Sequence, residues 1–330
     1  MTTLSVEAST AIDTSALVVE DLRVLATRKG QPSTEIVAGI SFSVRRGETL
    51  GFVGESGSGK SLTAMSLMRI LPAPLTQTGS IVLDGVAIDA LSERAMREVR
   101  GGKISMIFQD PMTGLNPVRS IGSALCEVLS RHNDLSGKEA EARAIAAMVD
   151  VGIPSAAERM HAYPHQLSGG LRQRVMIAMA LLNDPVIIIG DEPTTALDAT
   201  IQAQILDLLR KRVTSAGLIM ITHDLGVAAE ICDRVAVMYA GHIVEFGEVA
   251  TLLSAPRHPY TVGLLAAAPR FGRRHERMVP IPGAPPSPFD RPLGCPFAPR
   301  CARATDQCVK ENPPLVATER SAVACWHPHE

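Results

Sequence analysis

Three features of the sequence predict an α/β fold built around a phosphate-binding loop. An apolar run at residues 49–53 leads into Gly54-Glu55-Ser56-Gly57-Ser58-Gly59-Lys60-Ser61, a full match to G-x-x-x-x-G-K-S/T, and a helical pattern follows at 62–68. Continuous apolar runs at 186–189 and 218–222 have the character of parallel strands buried on both faces. Between about residues 110 and 185 helical periodicity replaces strand-like runs, so a helical subdomain is expected to interrupt a mixed-sheet core.

Taken in order, residues 1–16 read as a flexible tail, 17–26 and 36–44 as strands, and 79–83 as a strand closed by the turn Asp84-Gly85. Residues 104–108 form another strand ending at Gln109, and 121–131 and 138–151 carry the helical period. A hairpin turns at Ala240-Gly241 within 235–244. Beyond about residue 253 proline becomes dense and periodicity fades, so 256–330 is expected to be a separate, irregular appendage with neither a helical nor a sheet core. The expected division is 17–255 for the main domain, with 110–185 as its insertion, and 256–330 for the extension.

The chain has 330 residues, 46% of them hydrophobic, and a net charge of −2. That is enough apolar material for a large core, and the charge gives no basic field to draw in nucleic acid or anionic lipid. The first 15 residues have no basic segment followed by an apolar one, so no export signal is expected there. The longest candidate span, 175–189, is cut by Asn183-Asp184-Pro185. A cytoplasmic protein without membrane helices of its own is the expectation.

The chemistry begins at the loop. Its glycines let backbone N–H groups converge on phosphate oxygens, and the following helix N-terminus adds partial positive charge. Lys60 is placed to reach β- and γ-phosphates, and the Ser61 hydroxyl to hold Mg2+. The strand at 186–190 ends in Asp191-Glu192, where α/β proteins bind ligands. Asp191 suits a metal-holding role, and Glu192 suits a base or water-orienting one. Ser168-Gly169-Gly170, ahead of an apolar helix, offers a second anion site.

In this order the pieces resemble the nucleotide-binding subunits of ATP-binding cassette transporters: the phosphate loop, Gln109, the signature at 167–174, the strand ending Asp191-Glu192, Ala196-Leu197-Asp198, and His223. The resemblance covers about residues 17–255 and implies a P-loop NTPase cassette that hydrolyses ATP. It implies that two such subunits pair head to tail, so that ATP lies between the loop of one and Ser168, Gly169 and Gly170 of the other. By the same resemblance Asp198 links the two sites, His223 contacts the γ-phosphate, and Gln109 joins Ser61 and Asp191 at Mg2+ while tying nucleotide occupancy to the helical insertion. Two departures stand out. Leu171 replaces a common glutamine, and no aromatic residue stands near Ala26 to stack on adenine.

The tail narrows the resemblance. Residues 256–261 and 294–301 are similar to the C-terminal extension of oligopeptide and dipeptide importer ATPases, with nickel importers as close relatives. The implied partners are a second ATPase subunit of different sequence, two membrane permease subunits and an extracytoplasmic peptide-binding protein, with this chain peripheral at the cytoplasmic face. The competing readings are an ATPase for nickel or another small solute, and a soluble cassette that serves no transporter. Cys295, Cys301, Cys308 and Cys325 are separated by five, six and sixteen residues. Cytosolic thiols stay reduced, which makes disulfides unlikely, and zinc, whose usual short knuckles are missing, is the second choice. The extension that this tail resembles is associated with a 4Fe-4S cluster, which takes four cysteine ligands.

Overall fold

The computed structural model describes residues 15–27, 30, 32–110, 114–133, 135–194, 197–267, 280–318 and 321–330. The expected N-terminal tail falls outside the described residues up to position 14, as does Ala196.

The first half contains β1 (Ser15–Ala26), β2 (Thr34–Arg45), β3 (Thr49–Val53), α1 (Lys60–Leu67), β4 (Leu75–Leu83), β5 (Val86–Ala87), α2 (Glu93–Val99) and β6 (Ile104–Ile107). The helices α3 (Ile121–Asn133), α4 (Gly137–Asp150), α5 (Ala156–Arg159) and α6 (Gly169–Leu181) follow. The chain then runs through β7 (Ile187–Asp191), α7 (Ala199–Val213), β8 (Gly217–Thr222), α8 (Leu225–Ile231), β9 (Arg234–Tyr239), β10 (His242–Glu248) and α9 (Val249–Ser254). It ends in α10 (Pro259–Ala267), α11 (Asp306–Lys310), β11 (Val316–Ala317) and β12 (Ser321–Val323).

Two sheets form. The smaller is antiparallel, in the order β2-β1-β4-β5, and the larger runs β11-β12-β10-β9-β3-β8-β7-β6. Its β9-β3-β8-β7-β6 portion is parallel. Strand alternation splits the interior in two. Ile187, Ile189, Ile219 and Ile221 face the small sheet and pack with Leu17, Val19, Phe42 and Phe52. Ile188, Leu218 and Met220 face the other way, into a core shared with Val175, Ile177, Leu206 and Leu209 of the helices. Both faces of the parallel strands are therefore covered, which is why they read as unbroken apolar runs. The described helices between β6 and β7 fill the stretch where the strand pattern lapses.

Local chemistry explains the helix that sequence reading passed over. The Asp198 carboxylate accepts from the N–H groups of Thr200 and Ile201 and starts α7. Ile205, Leu206, Leu209 and Val213 are then buried at helical spacing.

The extension differs from expectation. It is not free of sheet, because β12 pairs antiparallel with β10 and carries β11 onto the edge of the large sheet. Its Tyr260, Phe297 and Ala298 join the helical-side core. The prolines prevent long periodic elements but do not prevent a three-residue edge strand, which needs few ladder N–H groups.

Candidate functional site

The parallel strands deliver their C-terminal ends to one edge of the sheet, and the loop after β3 lies there. Gly54 takes φ 153, and a Cβ on it would stand 2.2 Å from the Met238 carbonyl oxygen, so only glycine permits this approach. The Ser58 carbonyl accepts from Gly241 N–H at 2.9 Å, tying the loop to the β9–β10 turn. Lys60 opens α1 and is buried. Its Nζ donates to the carbonyls of Gly54 (2.7 Å) and Glu55 (2.9 Å). Burial pushes the Lys60 pKa down, while the carboxylates of Glu192, Asp191 and Glu55 hold it up.

Asp191, the last residue of β7, is buried and accepts from Ser61 Oγ at 3.0 Å. Burial raises its pKa, the Ser61 bond works against that rise, and the Glu192 charge adds to it. A desolvated carboxylate beside a hydroxyl is a natural pair of Mg2+ ligands, because a bound cation would offset the desolvation.

Glu192 follows in the left-handed region at φ 48, with its N–H still bonded to the Ile221 carbonyl (3.0 Å). That conformation costs about 1–3 kcal/mol in a residue with a Cβ. It aims the side chain at two partners. Glu192 Oε2 accepts from Gln109 Nε2 at 3.2 Å, and Oε1 lies 3.0 Å from His223 Nδ1. Three strand ends, after β6, β7 and β8, thus bring Gln109, Glu192 and His223 together beside Asp191 and Ser61.

Ser168, Gly169 and Gly170 lie apart from this group. Ser168 caps α6, accepting from Leu171 N–H at 3.4 Å. A Cβ on Gly169 would meet nothing within 4 Å, and one on Gly170 only Leu197 at 3.6 Å, so among the described residues the start of this helix faces open space. Two neighbours in the signature have structural work that sequence reading missed. Gln173 holds the Pro193 carbonyl (2.8 Å), and Arg174 holds those of Val151 and Gly152 (2.7 and 2.9 Å). Asp198 caps α7. Ala26 is buried and pairs with Thr34 and Leu75.

In the extension, Cys295, Cys301, Cys308 and Cys325 line one cavity together with His258, Phe297, Trp326 and His327. Burial, reinforced by neighbouring thiols, pushes Cys295 up to about 11 and raises Cys301 and Cys325. Among the described residues no three His, Cys, Asp or Glu side chains stand close enough to hold one metal ion, so neither the 4Fe-4S nor the zinc expectation finds support in this geometry. Two further residues reach the phosphate loop from this end of the chain, Tyr260 and Arg300. Nothing in their local pattern signals it, since the contacts span 205 and 245 positions.

Residues 37–195 match the family described as ABC transporter, and 244–308 the family described as oligopeptide/dipeptide transporter, C-terminal region. The chain is similar to the dipeptide transport ATP-binding protein DppD of Bacillus subtilis, at 47% identity over 94% of both chains. It is also similar to the oligopeptide transport ATP-binding protein OppD of Salmonella typhimurium, at 49% identity over 95% of this chain and 94% of that one. Among solved structures, the dimeric post-hydrolysis state of the ATP-binding cassette MJ0796 bound to ADP and Pi overlays with a TM-score of 0.63. The identity is 25%, over 71% of this chain and 98% of that one.

Proposed function

The chain belongs to the ATP-binding proteins of ABC transporters, in the branch that carries the oligopeptide/dipeptide transporter C-terminal region, and from that membership we propose that it hydrolyses ATP to drive peptide import through separate membrane subunits. The observation that carries the hydrolytic reading is the convergence of Gln109, Glu192 and His223 next to the Ser61–Asp191 pair and Lys60. Lys60 holds the β- and γ-phosphates of ATP, with the loop N–H groups of residues 54–61 around them. Ser61, Asp191 and Gln109 would hold Mg2+, which would neutralise phosphate charge. Glu192 takes or orients the proton of the attacking water, and His223 fixes the Glu192 carboxylate and meets the γ-phosphate.

Ser168, Gly169 and Gly170 complete the site of a second ATPase subunit, and the open space at Gly169 supports that use. Asp198, beside that edge, links the two sites. We read 17–255 as the cassette, 110–185 as the insertion that meets the two permease subunits, and 256–330 as the extension. No helix among the described residues is long and apolar enough to cross a membrane. From its family membership the chain sits on the cytoplasmic face by binding those subunits, and the peptide arrives from an extracytoplasmic binding protein. The C-terminal match and both relatives' names favour peptide over nickel as cargo.

The test is assembly. The isolated chain should hydrolyse ATP weakly, and activity should rise when the partner ATPase and membrane subunits are added with peptide and its binding protein. Full activity in a strictly monomeric preparation would contradict the shared site.

For the extension, we propose from the shared cavity of the four cysteines, not from their separations, a 4Fe-4S cluster as a structural staple. A cubane separates its four thiolates more widely than a single ion does. Burial raises the thiol pKa of Cys295, Cys301 and Cys325, so these three stay protonated until a cation offsets the thiolate charge. Anaerobic purification should give a brown protein with about four irons per chain, and Cys301→Ser should bleach it. A colourless anaerobic protein with one zinc overturns the cluster.

A further inference from the structure

We propose that Arg300 is a positioning residue of the nucleotide site, which neutralises and fixes Glu55 so that the phosphate loop can accept a polyphosphate. The second residue of the loop is an acid, and a carboxylate at that point opposes a polyanion. The structure answers it from the far end of the chain. Arg300 Nη1 donates to Glu55 Oε2 at 2.6 Å and Nη2 to Oε1 at 3.1 Å, a two-pronged pair that fits carboxylate geometry. The Arg300 side chain is 5% exposed. It is aimed by the carbonyls of Pro282 (2.8 Å) and Ile281 (3.3 Å), the Tyr239 hydroxyl (3.3 Å), and the ring faces of Tyr239 and Phe297.

Glu55 is held at its backbone too. Its N–H donates to the hydroxyl of fully buried Tyr260 at 2.8 Å, and its carbonyl receives Lys60 Nζ. Gly54 and Ser58 are already anchored against β9 and the β9–β10 turn. Among the described contacts, Glu55 is held by residues after 255 through Tyr260 and Arg300, while Ser56 and Gly57 stay exposed. The Glu55 charge also reaches Lys60, whose ammonium it helps to hold up.

Arg300 could instead serve only to tie residues 281–282 to its own segment within the extension, and the two roles separate cleanly. In the full chain, Arg300→Met leaves the carboxylate unpaired beside the phosphates. The Kd for MgATP and the KM in the assembled transporter should rise roughly five- to tenfold, with kcat at saturating ATP within about twofold. Adding Glu55→Gln to that variant should restore affinity to within about twofold of the parent. Glu55→Gln alone, which leaves Arg300 in place, should bind MgATP roughly two- to fivefold tighter, and it carries the test if Arg300→Met does not fold. Unchanged affinity in folded Arg300→Met overturns the proposal. So does a loss that Glu55→Gln does not relieve, or a single Glu55→Gln variant that binds MgATP no tighter than the parent.

Discussion

The nucleotide edge of the large sheet and the cysteine-lined extension both gather charge or potential charge, yet they are assembled in opposite ways. At the nucleotide edge each piece is short and contiguous, and the backbone does most of the work. Glycines bend residues 54–59, α1 begins at Lys60, and parallel strands carry Asp191-Glu192 and His223 to one edge. In the extension, by contrast, residues act across long stretches of sequence, as when Tyr260 and Arg300 reach Glu55. Substitution at the nucleotide edge should therefore remove chemistry from an intact frame. In the extension it should loosen the frame and reach the chemistry second-hand.

The largest expected effect lies at the nucleotide edge. Glu192→Gln should keep MgATP affinity and lower turnover about 10²–10⁴-fold in the assembled transporter, trapping the closed pair with ATP between its subunits. Near-normal turnover would break the contrast, because the chemistry would then not depend on that carboxylate. Next comes Lys60→Ala. Losing a charge-assisted phosphate contact costs about 1.5–3 kcal/mol, so MgATP affinity should fall about 10- to 100-fold while the thermal midpoint barely moves. A large drop in that midpoint would show that Lys60 mainly supports the loop through the Gly54 and Glu55 carbonyls.

A smaller effect concerns the base. Base–aromatic stacking is worth roughly 1–3 kcal/mol, and Ala26 supplies none. It is buried between Thr34 and Leu75, so no ring enters at that point of β1. ATP and GTP affinities should accordingly differ by less than about threefold. A strong preference for ATP would mean that another element grips adenine.

What was legible in the sequence follows the same division. The strand–loop–helix at 49–68, the buried strands and the helical stretch were readable because local pattern determines them. Ser61, Asp191 and Glu192 were readable from their places at a helix start and a strand end, whereas Gln109 and His223 were picked out only by the order of the family motifs. Three kinds of fact were not readable. The left-handed turn at Glu192 is fixed by its tertiary neighbours, not by propensity. The pairing of β12 with β10 joins residues about 75 positions apart, and nothing in Ser321–Val323 announces it. Arg300 and Tyr260 act on the loop through contacts that no local period encodes. The cysteine cluster was visible as a composition, but the cavity it lines needed the fold.

The most discriminating prediction uses acid against the extension. His258 is buried at 1% exposure, and its Nδ1 accepts from Tyr260 N–H at 3.0 Å, which requires an unprotonated nitrogen. Burial first, and then nearby His329, pushes its pKa down to about 3. The unfolded chain protonates this histidine near its ordinary value of 6.5, and the native state does not. Between those values the unfolded state binds more protons, so stability rises with pH and is lost as pH falls from about 6.5, by at most about 1.4 kcal/mol per pH unit. His242, pushed down to about 4 mainly by burial, acts in the same direction, and Glu245, whose pKa burial raises, acts in the opposite one. Comparison with His258→Gln cancels most of both contributions. The single tryptophan, Trp326, lines the cysteine cavity beside His258 and reports the extension by fluorescence. Denaturant midpoints of the parent should fall faster than those of His258→Gln between about pH 6.5 and 4. MgATP affinity should fall alongside, because Tyr260 also holds Glu55 N–H. Parallel midpoint profiles would show that His258 does not carry the acid sensitivity. A loosened extension with unchanged MgATP affinity would show that the two regions are built differently and also act independently.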